Sequence, residues 1–461
     1  MVAGHGIPSA QARARQLPAL PLALAALLFL AMHATTQAEQ VPAQGDETGN
    51  TRAVRGVGTP RLLSLFQDWC AVARAESPGR SPGYASPPLL KPQAGSLSAA
   101  NPVAGTEFTL TPSVRVQQAT DNNVMFQDVS DQEYRLSPQL EGRLRTERTI
   151  LTMRAAADVL RYARYKEFDR TNQEFSLGMR YAATRRTGLE LRGHARSDHT
   201  LESALEESGT VAVKSPRHNY GIQPTLAYRP DERTEIRLGG EATTNKSPHR
   251  HQKDALTQGG FLGLSRNLGS TAAALLVRTG FTTTSYDTGR QSTATLAGGM
   301  EWKITETLSC LLSVGPSISR DRFSTRSEGE THRGLAGEGR IRLELERATL
   351  ELGADMGAIP GSGGEDTLRR RILGKSVIHL TERLDLILNA AWFRSRTLDL
   401  VSKQDNTVVR LSPGLEYALG EHTDLHLGYD YTCIDDHVAG VYRQRQQIFL
   451  SLRLEYPRML Q

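Results

Sequence analysis

The chain has 461 residues, 38% of them apolar and 23% charged, with a mean hydropathy of -0.41; that is too little apolar material for two or three separately filled cores. Its formal charge of +5 is spread along the sequence and not gathered in one block, which excludes the footprint of a nucleic-acid binder. The three cysteines, Cys70, Cys310 and Cys433, are odd in number and far apart, which excludes a disulfide framework and a thiolate metal site.

Arg13 and Arg15 flank an apolar core from Leu17 to Ala31, and Thr36-Gln37-Ala38 ends in a small residue. This is the layout of an export signal, with cleavage expected after Ala38. No later stretch holds the roughly 18 to 20 consecutive apolar residues of a helical span. Residues 39–105 are rich in Pro, Gly, Ser and Ala and lack alternation, so they read as a flexible periplasmic segment. One amphipathic helix is expected within it near 61–76, where Leu62, Leu63, Phe66, Trp69 and Val72 fall on one side.

From Glu107 onward the pattern changes to runs of about ten residues that alternate apolar and polar. In the first run Phe108, Leu110, Val114 and Val116 face one way and Thr109, Thr111, Ser113, Arg115 and Gln117 the other. The second run shows Tyr134, Leu136, Leu140 and Leu144, and the pattern continues to a last run from Ile448 to Tyr456. Eight short charged turns separate pairs of runs: Thr146 to Thr149, Thr184 to Thr187, Pro230 to Thr234, Arg266 to Ser270, Thr305 to Thr307, Glu346 to Thr349, Thr381 to Arg383 and Gly420 to Asp424.

A period-2 run buries one face only, so the runs must be strands of one sheet. The count is about 18, with 16 the nearest alternative, and an even count brings both ends of the sheet to one side. Ten residues at about 3.3 Å each, tilted near 40°, rise roughly 25 Å, the height of a membrane barrel's apolar band. The fold class expected is therefore all-β: a transmembrane antiparallel β-barrel over residues 106–457 with a short tail at 458–461, in the outer membrane of a Gram-negative bacterium. Aromatics collect at the run ends, with Tyr181, Tyr228 and Tyr417 on the turn side and Tyr134, Phe175, Tyr220 and Phe281 on the loop side, as two interfacial girdles require. Cys310 and Cys433 fall on the outer face. Pro112, Pro138, Pro224, Pro316 and Pro413 lie inside runs, and the repeat of Leu136-Ser137-Pro138 as Leu411-Ser412-Pro413 suggests a bulge or local bend at equivalent positions.

A barrel of 16 to 18 strands leaves an aqueous passage. The inward positions carry Arg115, Arg143, Arg145, Arg154, Arg180, Arg192, Arg237, Arg278, Arg340, Arg342, Arg410 and Arg453, interspersed with Glu141, Glu190, Glu235, Glu241, Glu338, Glu344, Glu351, Glu416 and Glu455. These charges either brace a wide wetted wall as ion pairs or form a moderately basic passage for anionic or polyhydroxylated solutes. The longest outward connection, Arg196 to Asn219, carries Asp198, Glu202, Glu206 and Glu207; it is either a solvated surface loop or an inward-folded constriction. Turn chemistry accounts for Asp121-Asn122-Asn123 and for Gly361 to Asp366 more simply than a cation does. The chain has no nucleophile elbow, zinc-protease motif or phosphate loop, and His194 with Ser197 is the one pair with a catalytic look. No enzymatic activity, metal or cofactor is expected.

The segments TPSVRVQQATDNNVMF, YRLSPQLEGRLRTERTIL and RYARYKEFDRTNQEFSLGMRYAATRRTGLELR, between Thr111 and Arg192, resemble the β-barrel porin type 2 family and the related barrels of exosortase and exopolysaccharide systems. The carrying elements are Asp121-Asn122-Asn123-Val124, Leu136-Ser137-Pro138, Tyr162 with Tyr165, and Asn172. The resemblance implies an outer-membrane barrel without catalytic residues, linked in many members to polymer export. Two features depart from it: the segment before Gly105 has no counterpart, and Pro457 to Gln461 follow Tyr456, where the aromatic is usually terminal. The function expected is a passive outer-membrane pore for a secreted exopolysaccharide. Its partners would be outer-membrane lipid, the barrel-assembly machinery, the polymer and periplasmic export proteins, with no nucleic acid. A general or solute-selective diffusion porin and a structural barrel with a blocked lumen are the alternatives.

Overall fold

A computed structural model of the chain describes residues 106–199, 216–247, 254–269, 272–287, 289–323, 331–360, 366–397, 405–456 and 458–460. The export signal, the segment 39–105 with its helix near 61–76, Cys70, and the loop acids Glu202, Glu206 and Glu207 lie outside these residues.

The alternating runs form eighteen long strands: β1 (Glu107–Asp121), β2 (Asp131–Arg145), β3 (Thr149–Tyr162), β4 (Arg170–Ala182), β5 (Thr187–His199), β6 (Pro216–Tyr228), β7 (Thr234–Lys246), β8 (Ala255–Asn267), β9 (Ala273–Tyr286), β10 (Gly289–Lys303), β11 (Leu308–Phe323), β12 (Thr331–Leu345), β13 (Ala348–Pro360), β14 (Asp366–His379), β15 (Leu384–Thr397), β16 (Asp405–Gly420), β17 (Thr423–Asp436) and β18 (Val441–Glu455). Each pairs antiparallel with its sequence neighbours, and β1 pairs β18 from Ser113↔Glu455 to Asp121↔Gln447, which closes the sheet into a barrel. All eight charged turns connect strands at one end. Four of them are tied by a threonine: the hydroxyl oxygens of Thr146, Thr184, Thr305 and Thr381 accept the N–H of Thr149 (3.1 Å), Thr187 (3.0 Å), Leu308 (2.9 Å) and Arg383 (3.2 Å).

Following the cross-strand pairs once around the wall displaces the register by about 22 residues. Eighteen strands with that displacement tilt by about 40° and stand about 35 Å apart across the barrel, backbone to backbone. Side chains cannot fill such an interior.

The in-strand prolines do not produce the expected bulges. At Pro138, Pro224, Pro316 and Pro413 the ladder toward one neighbour loses its pairing for two residues and resumes in unchanged register, as between Leu136↔Val159 and Gln139↔Ala156. The pairing to the other neighbour runs straight through, as in Val114↔Pro138. A proline lacks a backbone N–H, so the ladder opens on the side where that donor is missing, and the strand need not take in an extra residue. Beyond Glu455 the ladder also continues: the N–H of Tyr456 donates to the Pro112 carbonyl (3.0 Å), and Arg458–Leu460 pair with Leu110 to Phe108.

The outer face carries Val116, Leu238, Leu312 and Leu335 more than half exposed, among many other large apolar side chains. An apolar belt of this extent is solvated by lipid tails, not water. Among the described residues no helix is long and apolar enough to cross a membrane; the strands cross it instead, their backbone groups paired in the ladders between neighbours. Cys310 and Cys433 stand at outward positions of β11 and β17, Cys433 buried. A closed, even-stranded antiparallel barrel with such a belt is an outer-membrane barrel, with its tight turns toward the periplasm and its nine other connections outside.

Candidate functional site

Because side chains alternate along a strand, the face opposite the apolar belt is the lumen. The register places all twelve sequence-selected arginines there. They fall into two groups by pairing. Near the middle of their strands, Arg154 stands 3.7 Å from Glu174, Arg192 3.6 Å from Glu190, Arg278 3.6 Å from Glu338 and Arg340 3.7 Å from Glu351. These distances exceed those of a hydrogen bond, so the guanidinium donors remain partly available. Arg115, also mid-strand, has no carboxylate within ion-pair distance among the described residues.

Nearer the two rims several pairs are short. Toward the turns, Arg237 bonds Glu235 and Arg453 bonds Glu455, while Arg229 holds Glu235 at 2.9 Å. Arg342 meets Glu344 in the same zone, Arg180 reaches Glu190 at 3.8 Å, and Arg143 and Arg145 have no carboxylate at ion-pair distance among the described residues. Toward the loops, Arg371 and Arg369 both hold Asp355, at 2.6 and 3.0 Å. A cavity of about 640 Å³ lies against β12 to β16 between these zones, lined by Glu338, Arg340, Glu351, Arg371, Lys375 and Arg410 among others. A second, of about 450 Å³, lies against β5 to β12 and takes in Arg192, Arg237 and Arg278. Carboxylates nearly match cations around the lumen wall.

The inward-folded segment is the first connection. Between β1 and β2, Val124–Phe126 form a single 3-10 turn, and they pack against Tyr162, Phe393, Val408 and Ile434 on the lumen side of β3, β15, β16 and β17. Met125, Phe126 and Asp128 have φ of 52°, 59° and 57°, a left-handed backbone that such residues rarely adopt and that persists only when surrounding structure enforces it. Polar contacts on both sides enforce it. Arg445 grips the fully buried Asp121 through Nε (2.8 Å) and a terminal nitrogen (2.6 Å). Asp121 also accepts the Asn123 N–H (3.0 Å), the Asn123 amide donates to the Gln444 carbonyl (2.7 Å), and the Asp128 N–H donates back to Asn123 (2.7 Å). Behind this latch the Tyr162 hydroxyl donates to the buried Glu133 (2.9 Å), with Arg170 over the ring.

This arrangement reassigns several sequence-level candidates. In the third connection Asp198 belongs to β5, paired with Arg196 (2.6 Å) and Arg217 (3.2 Å), so it braces the wall and does not reach into the lumen as part of a loop. Asp121 is occupied by an arginine and cannot serve a cation, and no metal-binding cluster of His, Cys, Asp or Glu occurs among the described residues. His194 faces the lumen and bonds Asn219, whereas Ser197, three residues on, faces outward; the two cannot act together. The first-connection stopper was missed because Val124-Met125-Phe126 looks like the start of another apolar run. The signal available was Asp121-Asn122-Asn123, a turn former placed immediately before three apolar residues.

No family model matches the chain, and no curated protein matches it. Among solved structures it is similar to OccAB3 of Acinetobacter baumannii (12% identity, 77% of this chain and 100% of that one, TM-score 0.44). It is also similar to OccK2 (OpdF) of Pseudomonas aeruginosa in complex with glucuronate (13% identity, 77% and 98%, TM-score 0.43) and to a BenF-like porin from Pseudomonas fluorescens Pf-5 (11% identity, 77% and 99%, TM-score 0.43). At such distances nothing about solute passes from those proteins to this one. The wall's own register and surface establish an eighteen-stranded outer-membrane β-barrel.

Proposed function

We propose that the chain is a solute-selective outer-membrane pore favouring small anionic solutes. The supporting observation is the pairing at the waist: Arg154, Arg192, Arg278 and Arg340 stand 3.6 to 3.7 Å from their carboxylates, and Arg115 has no carboxylate at ion-pair distance among the described residues. A solute carboxylate or phosphate reaching the waist exchanges a long contact of 3.6 to 3.7 Å for a charge-assisted hydrogen bond. No energy input is built into such a wall, so transport is passive. The polymer passage suggested by the family resemblance fits less well, because the first connection places an apolar stopper against the lumen wall of β15 to β17 and β3.

The test is the reversal potential of the purified chain in a planar bilayer under a KCl gradient. The expected result is chloride preference, reduced toward neutrality by Arg115→Ser combined with Arg154→Ser. Cation preference, or no conductance, ends this reading. A deletion strain that loses secreted polymer while small-anion uptake is unchanged would favour polymer passage instead.

A further inference from the structure

The same alternation that sends twelve arginines inward sends a second set outward. On β10, β11 and β12, Arg290, Arg320, Arg322 and Arg333 point away from the lumen at the loop-side ends of their strands, and all four are exposed. Arg370 and Arg394 extend the set onto β14 and β15. Each lies just beyond the apolar belt: Ile318, two residues before Arg320, and Leu335, two residues after Arg333, are both about half exposed on the same face. Two residues of a tilted strand rise roughly 5 Å, so these guanidinium groups sit at headgroup level in the outer leaflet.

Arg290 stands directly opposite Arg322, whereas Arg394, opposite Arg370, is paired with Asp405 at 3.4 Å. Like charges in directly opposed cross-strand positions repel, and an isolated barrel gains nothing from them. Arg290, Arg320, Arg322 and Arg333 have no carboxylate at ion-pair distance among the described residues, whereas the lumen arginines sit among carboxylates. The outward loop-side positions on the far wall are mostly uncharged, such as Gln118 and Thr120 on β1, Gln132 and Tyr134 on β2, and Thr244 on β7; Arg161 on β3 stands 3.8 Å from Asp169, and Lys246 on β7 is a single cation. The four exposed arginines of β10 to β12 are instead clustered on adjacent strands.

We propose that this sector binds the phosphate groups of phosphorylated glycolipid in the outer leaflet, one phosphate bridging the opposed Arg290 and Arg322, with Arg320 and Arg333 beside them, while the acyl chains lie on Ile318 and Leu335. Fork-shaped guanidinium groups suit phosphate oxygens, and two facing arginines bind between them what neither holds alone. The inference rests on the outer-membrane reading, which sets the loop side outward; it does not rest on the lumen's selectivity.

The experiment is native mass spectrometry of the full chain in detergent, titrated with lipid A and with its dephosphorylated form. Lipid A is expected to bind in discrete stoichiometry and the dephosphorylated form much more weakly. The variant Arg320→Gln/Arg322→Gln/Arg333→Gln is expected to lose affinity about a hundredfold, at roughly fivefold per arginine at an anionic surface, with reversal potential unchanged. Arg115→Gln, in the lumen, should leave lipid binding intact. Equal binding of the two lipids by the wild type overturns the proposal without any variant, as does a folded triple variant that binds lipid A normally. If chloride preference is absent while the lipid result holds, the pore reading fails and the lipid site stands.

Discussion

Replacing Arg445 with methionine keeps the side-chain volume and removes the charge that holds the first connection in place. Two opposing terms set the position of that connection. Burying Val124, Met125 and Phe126 stabilises the inward state by about 1.5 to 3 kcal/mol each, and left-handed backbone at Met125, Phe126 and Asp128 costs about 1 to 3 kcal/mol each. These terms are of similar size and largely offset each other, so the ion pair decides the balance. Asp121 is fully buried and the Arg445 side chain is 16% exposed, which makes this a buried pair, and removing one partner of such a pair costs about 3 to 5 kcal/mol. Even the lower figure shifts the equilibrium between inward and released states by about a hundredfold. In single-channel recordings Arg445→Met should therefore show a higher-conductance, noisier open state than the wild type, while Arg453→Met, a turn-side wall arginine, should not. A folded, heat-resistant Arg445→Met barrel with wild-type conductance and noise would refute the latch.

Two further outcomes test the wall itself. At Gly315, beside Pro316, a Cβ would lie 1.8 Å from the Leu296 carbonyl oxygen of the adjacent strand, whereas Gly298 has nothing within 4 Å; Gly315→Ala should cost about 1 to 3 kcal/mol in urea-titrated folding into lipid vesicles, and Gly298→Ala less than about 0.5 kcal/mol. In the turn after β6, Asp231 accepts the N–H of Arg233 (2.8 Å) and of Thr234 (2.7 Å), and these bonds, that of Arg233 foremost, hold its carboxyl below the ordinary range. Since the folded value is depressed, the turn's stabilisation is complete above the unfolded value of about 3.9 and is lost as pH falls through the lower folded one; a carboxyl-carbon NMR titration with a midpoint at or above 3.9 would contradict this.

The sequence discloses the wall more fully than the site because the wall has a period and the site does not. Alternation such as Phe108, Leu110, Val114 and Val116 against Arg115 and Gln117 is enforced at every step by lipid on one side and water on the other, so strand positions, eight turns and inward arginines are all legible from one line of residues. Proline effects are less so: Pro138 and Pro413 announce a disturbance, but whether a strand adds a residue or merely forgoes a bond depends on which neighbour faces the missing N–H. The first connection is opaque for a different reason. Arg445 and Asp121 are 324 positions apart, joined only because β18 closes on β1. No local pattern marks them, and Val124-Met125-Phe126 carries the same apolar signature whether it faces lipid or lumen.

That closure also explains why the first connection enters the lumen. The connection between β1 and β2 stands beside the seam where the last strand meets the first, so β17 and β18 lie within reach on one side and β3 on the other. Both walls offer groups that can hold it: Arg445 and the Gln444 carbonyl from β18, Ile434 from β17, Tyr162 from β3. Loop length adds closure entropy only slowly, and contacts on two sides decide whether a segment stays inward. The charges follow the same logic of environment. Water in the lumen lets carboxylates and arginines alternate at small cost. The outward face at loop level has no such water-filled channel beside it, and there Arg394 takes Asp405 as its counter-ion, while the opposed Arg290 and Arg322 look to an anion of the membrane.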